Sequence, residues 1–118
     1  MNIKKLFNYF SFSFQVLRNK IGKRNLFSLS LDITDKCNSA CSICGIWKKE
    51  LPTIMDPDEF EGVIKSSKIL RKVKLFSIGG GEPFTDPERL NQFLSIIYKY
   101  SNPLQVRIVT NGLLTDNI

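Results

Sequence analysis

The sequence predicts an α/β protein with a parallel sheet, because strand, loop and helix follow one another twice before a third strand opens another round. Two further observations support this. Both predicted helices begin on an Asp-Pro turn, and the residues with unusual chemistry stand just after a strand's C-terminal end. Parallel neighbours joined in this way require crossovers that are nearly always right-handed. At 118 residues, 42% hydrophobic and 24% charged, the chain suits one globular domain rather than two.

In chain order, Ile3, Phe7, Phe10, Phe14, Leu17 and Ile21 recur at spacings of three and four, which predicts an amphipathic helix over residues 1–26. This segment holds Lys4, Lys5, Arg18, Lys20, Lys23 and Arg24 and no acidic residue. The other eleven basic groups are matched by all eleven acidic ones, so the net charge of +6 belongs to the first segment. A neutral main domain argues against a nucleic-acid surface. The aromatic stripe is expected to pack on the domain that follows, with peripheral contact to an anionic membrane as the alternative.

No run approaches the ~20 apolar residues of a membrane-spanning helix. Residues 6–17 are interrupted by Asn8, Ser11, Ser13 and Gln15, and basic residues follow where a signal peptide has its cleavage site. Three closely spaced cysteines make a poor disulfide framework, which favours reduced thiols in the cytoplasm.

Residues 27–34 alternate Phe27, Leu29, Leu31 and Ile33 with Ser28, Ser30, Asp32 and Thr34, predicting a strand with one apolar face. Asp56-Pro57-Asp58-Glu59 starts a helix with an N-cap, Pro at the first position and acidic residues in the first turn. Its buried stripe is expected to be Phe60, Val63, Ile64 and Leu70. A second strand is predicted over 73–78, ending in Gly79-Gly80-Gly81-Glu82-Pro83. Asp86-Pro87-Glu88 repeats the start signal for a helix burying Leu90, Phe93, Leu94 and Ile97. Asn102-Pro103 turns the chain into a third strand, 104–109, which ends in Thr110-Asn111-Gly112. Beyond it, Thr115 or Asp116 stands where a further helix would be capped.

Cys37, Cys41 and Cys44 are the only cysteines, and the chain has no histidine. A structural zinc site is normally closed by four ligands, and these three thiols have no fourth Cys or His to join them. A four-iron cluster held by three thiolates instead leaves one iron open to a ligand from solution. Trp47, Lys48 and Lys49 follow the loop, where they are expected to cover the cluster, meet substrate or lie in solvent.

Three marks in this order resemble the radical S-adenosylmethionine (radical SAM) superfamily: Cys-x3-Cys-x2-Cys after strand one, Gly80-Gly81-Glu82 after strand two and Thr110-Asn111-Gly112 after strand three. The resemblance covers residues 27–114. It implies a partial (β/α) TIM-type barrel in which Cys37, Cys41 and Cys44 hold a [4Fe-4S] cluster and S-adenosylmethionine occupies the open iron. It further implies that Glu82 meets the methionine ammonium, that Gly80 and Gly81 let the backbone approach the cofactor, and that Asn111 touches the nucleoside. Ile43 stands where the family usually has an aromatic residue near the adenine, and an aliphatic side chain is expected to pack there instead.

The implied reaction is reductive cleavage to a 5′-deoxyadenosyl radical that takes hydrogen from a substrate, with no catalytic side chain assigned. The implied partners are a flavodoxin- or ferredoxin-like electron donor and a substrate that is a peptide, a cofactor precursor or a lipid. The chain supplies fewer βα units than the family builds. Residues 27–118 are therefore expected to be the N-terminal portion of a larger core domain, inactive alone. The alternative is a fragment that binds a cluster without turnover.

Overall fold

The structure, a computed structural model, describes residues 26–117. Strands β1 (Ser28–Thr34), β2 (Leu75–Gly80) and β3 (Gln105–Ile108) form one sheet in the order β1-β2-β3, and both pairings are parallel. Helix α1 (Pro57–Ser66) leads from β1 to β2, and helix α2 (Pro87–Tyr100) leads from β2 to β3. The expected βα repeat is therefore present as a mixed α/β unit with a parallel three-stranded sheet. The helix expected over residues 1–26 lies, but for Leu26, outside the described residues. Among the described residues no helix is long and apolar enough to cross a membrane.

Both helix starts form as their sequences require. The Asp56 side chain accepts from the Asp58 amide at 2.8 Å, with Pro57 at a position whose missing N–H costs nothing. Asp86 accepts from the Arg89 amide at 3.0 Å and from Arg89 Nε at 3.1 Å. The Arg89 backbone N–H holds the Asp86 carboxyl below its ordinary value, with the guanidinium adding to the effect. Arg89 Nη1 also donates to the Met55 carbonyl at 2.9 Å, which ties the start of α2 to the residue before the α1 cap.

The core lies between the helices and one sheet face. Leu31, Ile33, Phe76 and Ile78 of the sheet meet Phe60 and Ile64 of α1 and Leu90, Phe93, Ile96 and Ile97 of α2. The Phe60 and Phe93 rings tilt against each other with centroids 5.3 Å apart. Fully buried Phe93 joins both helices, so Phe93→Ala is expected to lower stability by about 3–5 kcal/mol. A denaturant midpoint within experimental error of wild type would refute that central role.

The structure differs from expectation at several positions. The second strand begins later, at Leu75, and continues through Gly80; the third is shorter, Gln105–Ile108. Val63 is 55% exposed, because α1 rests on its Phe60–Ile64 edge against α2 and leaves the flank in solvent. Leu70 belongs to a separate short 3-10 turn, Leu70–Lys72, rather than to α1. In α2, Ile96 is buried where Leu94 was expected, and Leu94 is only half-buried. The chain after β3 forms one 3-10 turn, Thr115–Asn117.

One irregularity matters for function. The β1–β2 register slips between Asp32 and Thr34, so that Asp32 faces Gly79 and Thr34 faces Gly80. The extra residue breaks the alternation, and Ile33 and Thr34 are both buried.

Candidate functional site

All three strands end at one edge of the sheet, and the loops there carry the residues singled out from the sequence. Two backbone hydrogen bonds join the cysteine loop to the end of β2. The Gly81 amide donates to the Thr34 carbonyl at 2.6 Å, and the Glu82 amide donates to the Lys36 carbonyl at 2.8 Å. This close approach needs glycine. Gly80 has φ +114°, which L side chains rarely adopt, and a Cβ there would press on the Thr34 carbonyl. A Cβ at Gly81 would press on the Lys36 carbonyl, one residue before Cys37.

Glu82 is 0% exposed, yet its carboxylate has partners on every side. Oε1 accepts from the Phe84 amide at 3.0 Å and from Thr110 Oγ1 at 2.9 Å. Oε2 accepts from the Asn111 amide at 2.7 Å and lies 3.0 Å from Thr110 Oγ1, whose one proton is shared between the two carboxylate oxygens. All of these partners donate, which suits an acceptor-only carboxylate. The side chain therefore locks the end of β2 to the turn after β3. Asn111 continues the chain of contacts: its Nδ2 donates to Asn38 Oδ1, inside the cysteine loop, at 2.8 Å. Its own Oδ1 accepts from the Leu113 amide at 2.9 Å, and Thr110 Oγ1 accepts from the Gly112 amide at 3.0 Å.

The cysteine loop is also closed on itself. Asp35 accepts from Lys49 Nζ at 2.6 Å and from the Thr53 amide at 3.2 Å, while its own amide donates to the Thr53 carbonyl at 2.9 Å. The Lys49 hydrogen bond holds the Asp35 carboxyl below its ordinary value. Trp47 Nε1 donates to the Cys41 carbonyl at 3.1 Å, so the indole fixes the backbone of the middle cysteine. Lys48 Nζ lies 5.4 Å from the centre of the same ring. An open cleft of about 360 Å³ lies beside the loop, lined by Lys36, Cys37, Asn38, Trp47 and Thr85 among others.

The three cysteines are free thiols, with Cys37 half-buried and Cys41 and Cys44 exposed. The Cys44 amide donates to the Cys41 carbonyl at 3.3 Å, and Ser39 Oγ lies 3.4 Å from Cys41 Sγ. Among the described residues no three His, Cys, Asp or Glu side chains converge on a point that would hold one metal ion. A cubic iron–sulfur cluster does not demand that convergence, because each thiolate binds its own corner iron. Three accessible thiols on one tethered loop are a donor set that fits such a cluster. Ile43, between Cys41 and Cys44 on the loop, is 99% exposed.

The structure thus brings Gly80, Gly81, Glu82 and Asn111 to one edge, where hydrogen bonds to Lys36 and Asn38 hold the residues on either side of Cys37. Sequence reasoning did not single out Asn38, or the strap formed by Asp35, Lys49 and Thr53. Most of these links end on backbone atoms or join residues distant in sequence, and no residue pattern announces them. Thr110 was visible as part of a strand-end motif, but its role as the hydroxyl donor to Glu82 was not.

Comparison with known proteins finds a matching family and similar sequences. The family model described as the radical SAM superfamily matches residues 31–118. A GTP 3′,8-cyclase of Clostridium botulinum (strain Hall) is 31% identical over 102 residues, covering 80% of this chain and 30% of that protein. A probable GTP 3′,8-cyclase of Methanocaldococcus jannaschii is 30% identical over 104 residues, covering 86% of this chain and 34% of the relative. An S-adenosylmethionine-dependent nucleotide dehydratase of Fibrobacter sp. (strain UWH6) is 29% identical over 87 residues, covering 68% and 26%. The chain spans about a third or less of the length of these relatives.

Proposed function

This chain belongs to the radical SAM superfamily, a family of enzymes that use a [4Fe-4S] cluster and S-adenosylmethionine, and we propose that it forms the cofactor-binding part of an enzyme acting on a nucleotide. The observation that carries the reading is the pair of hydrogen bonds tethering the cysteine loop to Gly81 and Glu82. When bound, the cluster and S-adenosylmethionine would supply reductive cleavage of the sulfonium and a radical that removes hydrogen from substrate.

The chain's own residues hold and orient. Cys37, Cys41 and Cys44 offer three thiols, which lose their protons to bind as thiolates. Trp47 and the Asp35–Lys49 strap limit the freedom of that loop, so less order has to be imposed on binding. Gly80 and Gly81 let the Thr34 and Lys36 carbonyls close on the end of β2, which shapes the rim that the methionine portion of the cofactor can approach. Asn111 holds the rim from β3, and its position next to Asn38 suits contact with the nucleoside. An electron donor of flavodoxin or ferredoxin type is the partner this chemistry requires.

The substrate class departs from the sequence-based expectation of a peptide, cofactor precursor or lipid. The relatives are named for GTP and for nucleotides, and those names support a nucleotide instead. The test is anaerobic reconstitution of the protein carrying this chain, followed by reduction with S-adenosylmethionine present. Release of 5′-deoxyadenosine, raised by added GTP, is the expected result. Cluster loading without any release of that nucleoside would leave only a cluster-carrying protein.

A further inference from the structure

The sheet face turned away from the helices is polar, and that polarity has an order. On β3, Val106 and Ile108 pack toward the helical core, so Gln105 and Arg107 point the other way. The pairing sets Ser30, Ser77 and Arg107 side by side across the three strands. Two residues along, a Cβ on Gly79 would lie 3.5 Å from Val109 Cβ and 3.8 Å from Asp32 Oδ1, which puts those two residues on this same face. In a (β/α) barrel this is the inner face, and a filled barrel lines it with branched apolar side chains. Ser-Ser-Arg in one row is the composition of a face that receives something polar.

The Arg107 side chain is exposed and takes part in no ion pair or hydrogen bond among the described residues, whereas Lys49, Arg89 and Lys99 each have a carboxylate partner. Its row lies about 10 Å below Thr110, from three residues at ~3.3 Å each. Asp32, the carboxylate on this face, has its Cα about 12 Å away by strand spacing and rise, and it forms no ion pair with Arg107. A guanidinium matches phosphate oxygens two at a time, and hydroxyls beside it can complete the anion's hydrogen bonds.

We propose that Arg107, flanked by Ser77 and Ser30, is a phosphate-binding subsite on the inner sheet face that anchors a nucleotide substrate below the cofactor rim. The inference rests on the nucleotide reading given above and adds the residue that recognises the charged end. Equilibrium binding of GTP and of guanosine to the protein carrying this chain, without cluster or cofactor, tests it. Arg107→Met is expected to weaken GTP binding roughly 10- to 100-fold, as for a lost charge-assisted contact, and to change guanosine binding less than about twofold. Arg107→Lys is expected to recover part of the GTP affinity, and inorganic triphosphate to compete with GTP for wild type but not for Arg107→Met.

Wild-type GTP binding that Arg107→Met leaves unchanged, or an equal loss for GTP and guanosine, would overturn the subsite while the nucleotide reading stands. A wild-type protein that binds neither GTP nor guanosine would overturn both. Lowered thermal stability of Arg107→Met with no phosphate-selective loss would make Arg107 a structural ion-pair partner and refute the proposal.

Discussion

Cys41→Ala is expected to remove most of the iron and sulfide that the reconstituted protein binds, together with any release of 5′-deoxyadenosine. The reason is arithmetic of ligands. Three thiolates leave a cluster one open corner; two leave it two, and no other Cys or any His in this chain is available to replace the lost one. The side chain at position 41 is exposed, so its truncation should change folding stability by no more than about 0.5 kcal/mol. Loss of iron therefore reports on ligation and not on unfolding. Trp47 would still hold the Cys41 carbonyl, since that bond uses the backbone, and loop geometry should survive the substitution. Iron assay and the thiolate-to-iron absorbance of the variant, set beside its unfolding curve, provide the check. Iron content equal to wild type would refute the ligand assignment.

Much of this could be seen in the residues, and the part that could not has a common cause. Strict alternation at 27–34 and the two Asp-Pro starts were local signals, and the structure places β1, α1 and α2 on them. Val63 misled because periodicity marks a stripe without saying which edge of it a neighbouring helix will cover. The bulge at Ile33 was hidden because a slipped register leaves the apolar–polar alternation unchanged in sequence. The site showed the same division. The cysteines, Gly80, Gly81 and Glu82 were legible as residue types after strand ends. The bonds from Thr34 and Lys36 carbonyls that join them were not, because any residue supplies a carbonyl.

Glu82→Gln is expected to leave cluster loading near wild type, lower S-adenosylmethionine affinity, and cost about 1.5–3 kcal/mol of stability. The amide keeps one acceptor oxygen but turns an NH2 group toward a backbone N–H that the carboxylate now satisfies at Phe84 or Asn111. That sets two donors against each other at a fully buried side chain, which is the expensive direction for a polar substitution.

Two routes connect this change to the cofactor. The carboxylate either meets the cofactor's ammonium itself, or sets the relative position of the β2 and β3 ends that frame it. Thr110→Val separates them, since it removes the hydroxyl that bonds both carboxylate oxygens and leaves the Glu82 charge in place. If Glu82 acts by positioning, Thr110→Val should weaken cofactor binding in the same direction, and the double variant should fall short of the summed losses. If the contact is direct, Thr110→Val should bind the cofactor as wild type does. The network of four short contacts around a carboxylate with no exposed surface favours positioning, and S-adenosylmethionine binding by the three variants measures it. Unchanged affinity in Glu82→Gln would remove Glu82 from the cofactor site by either route.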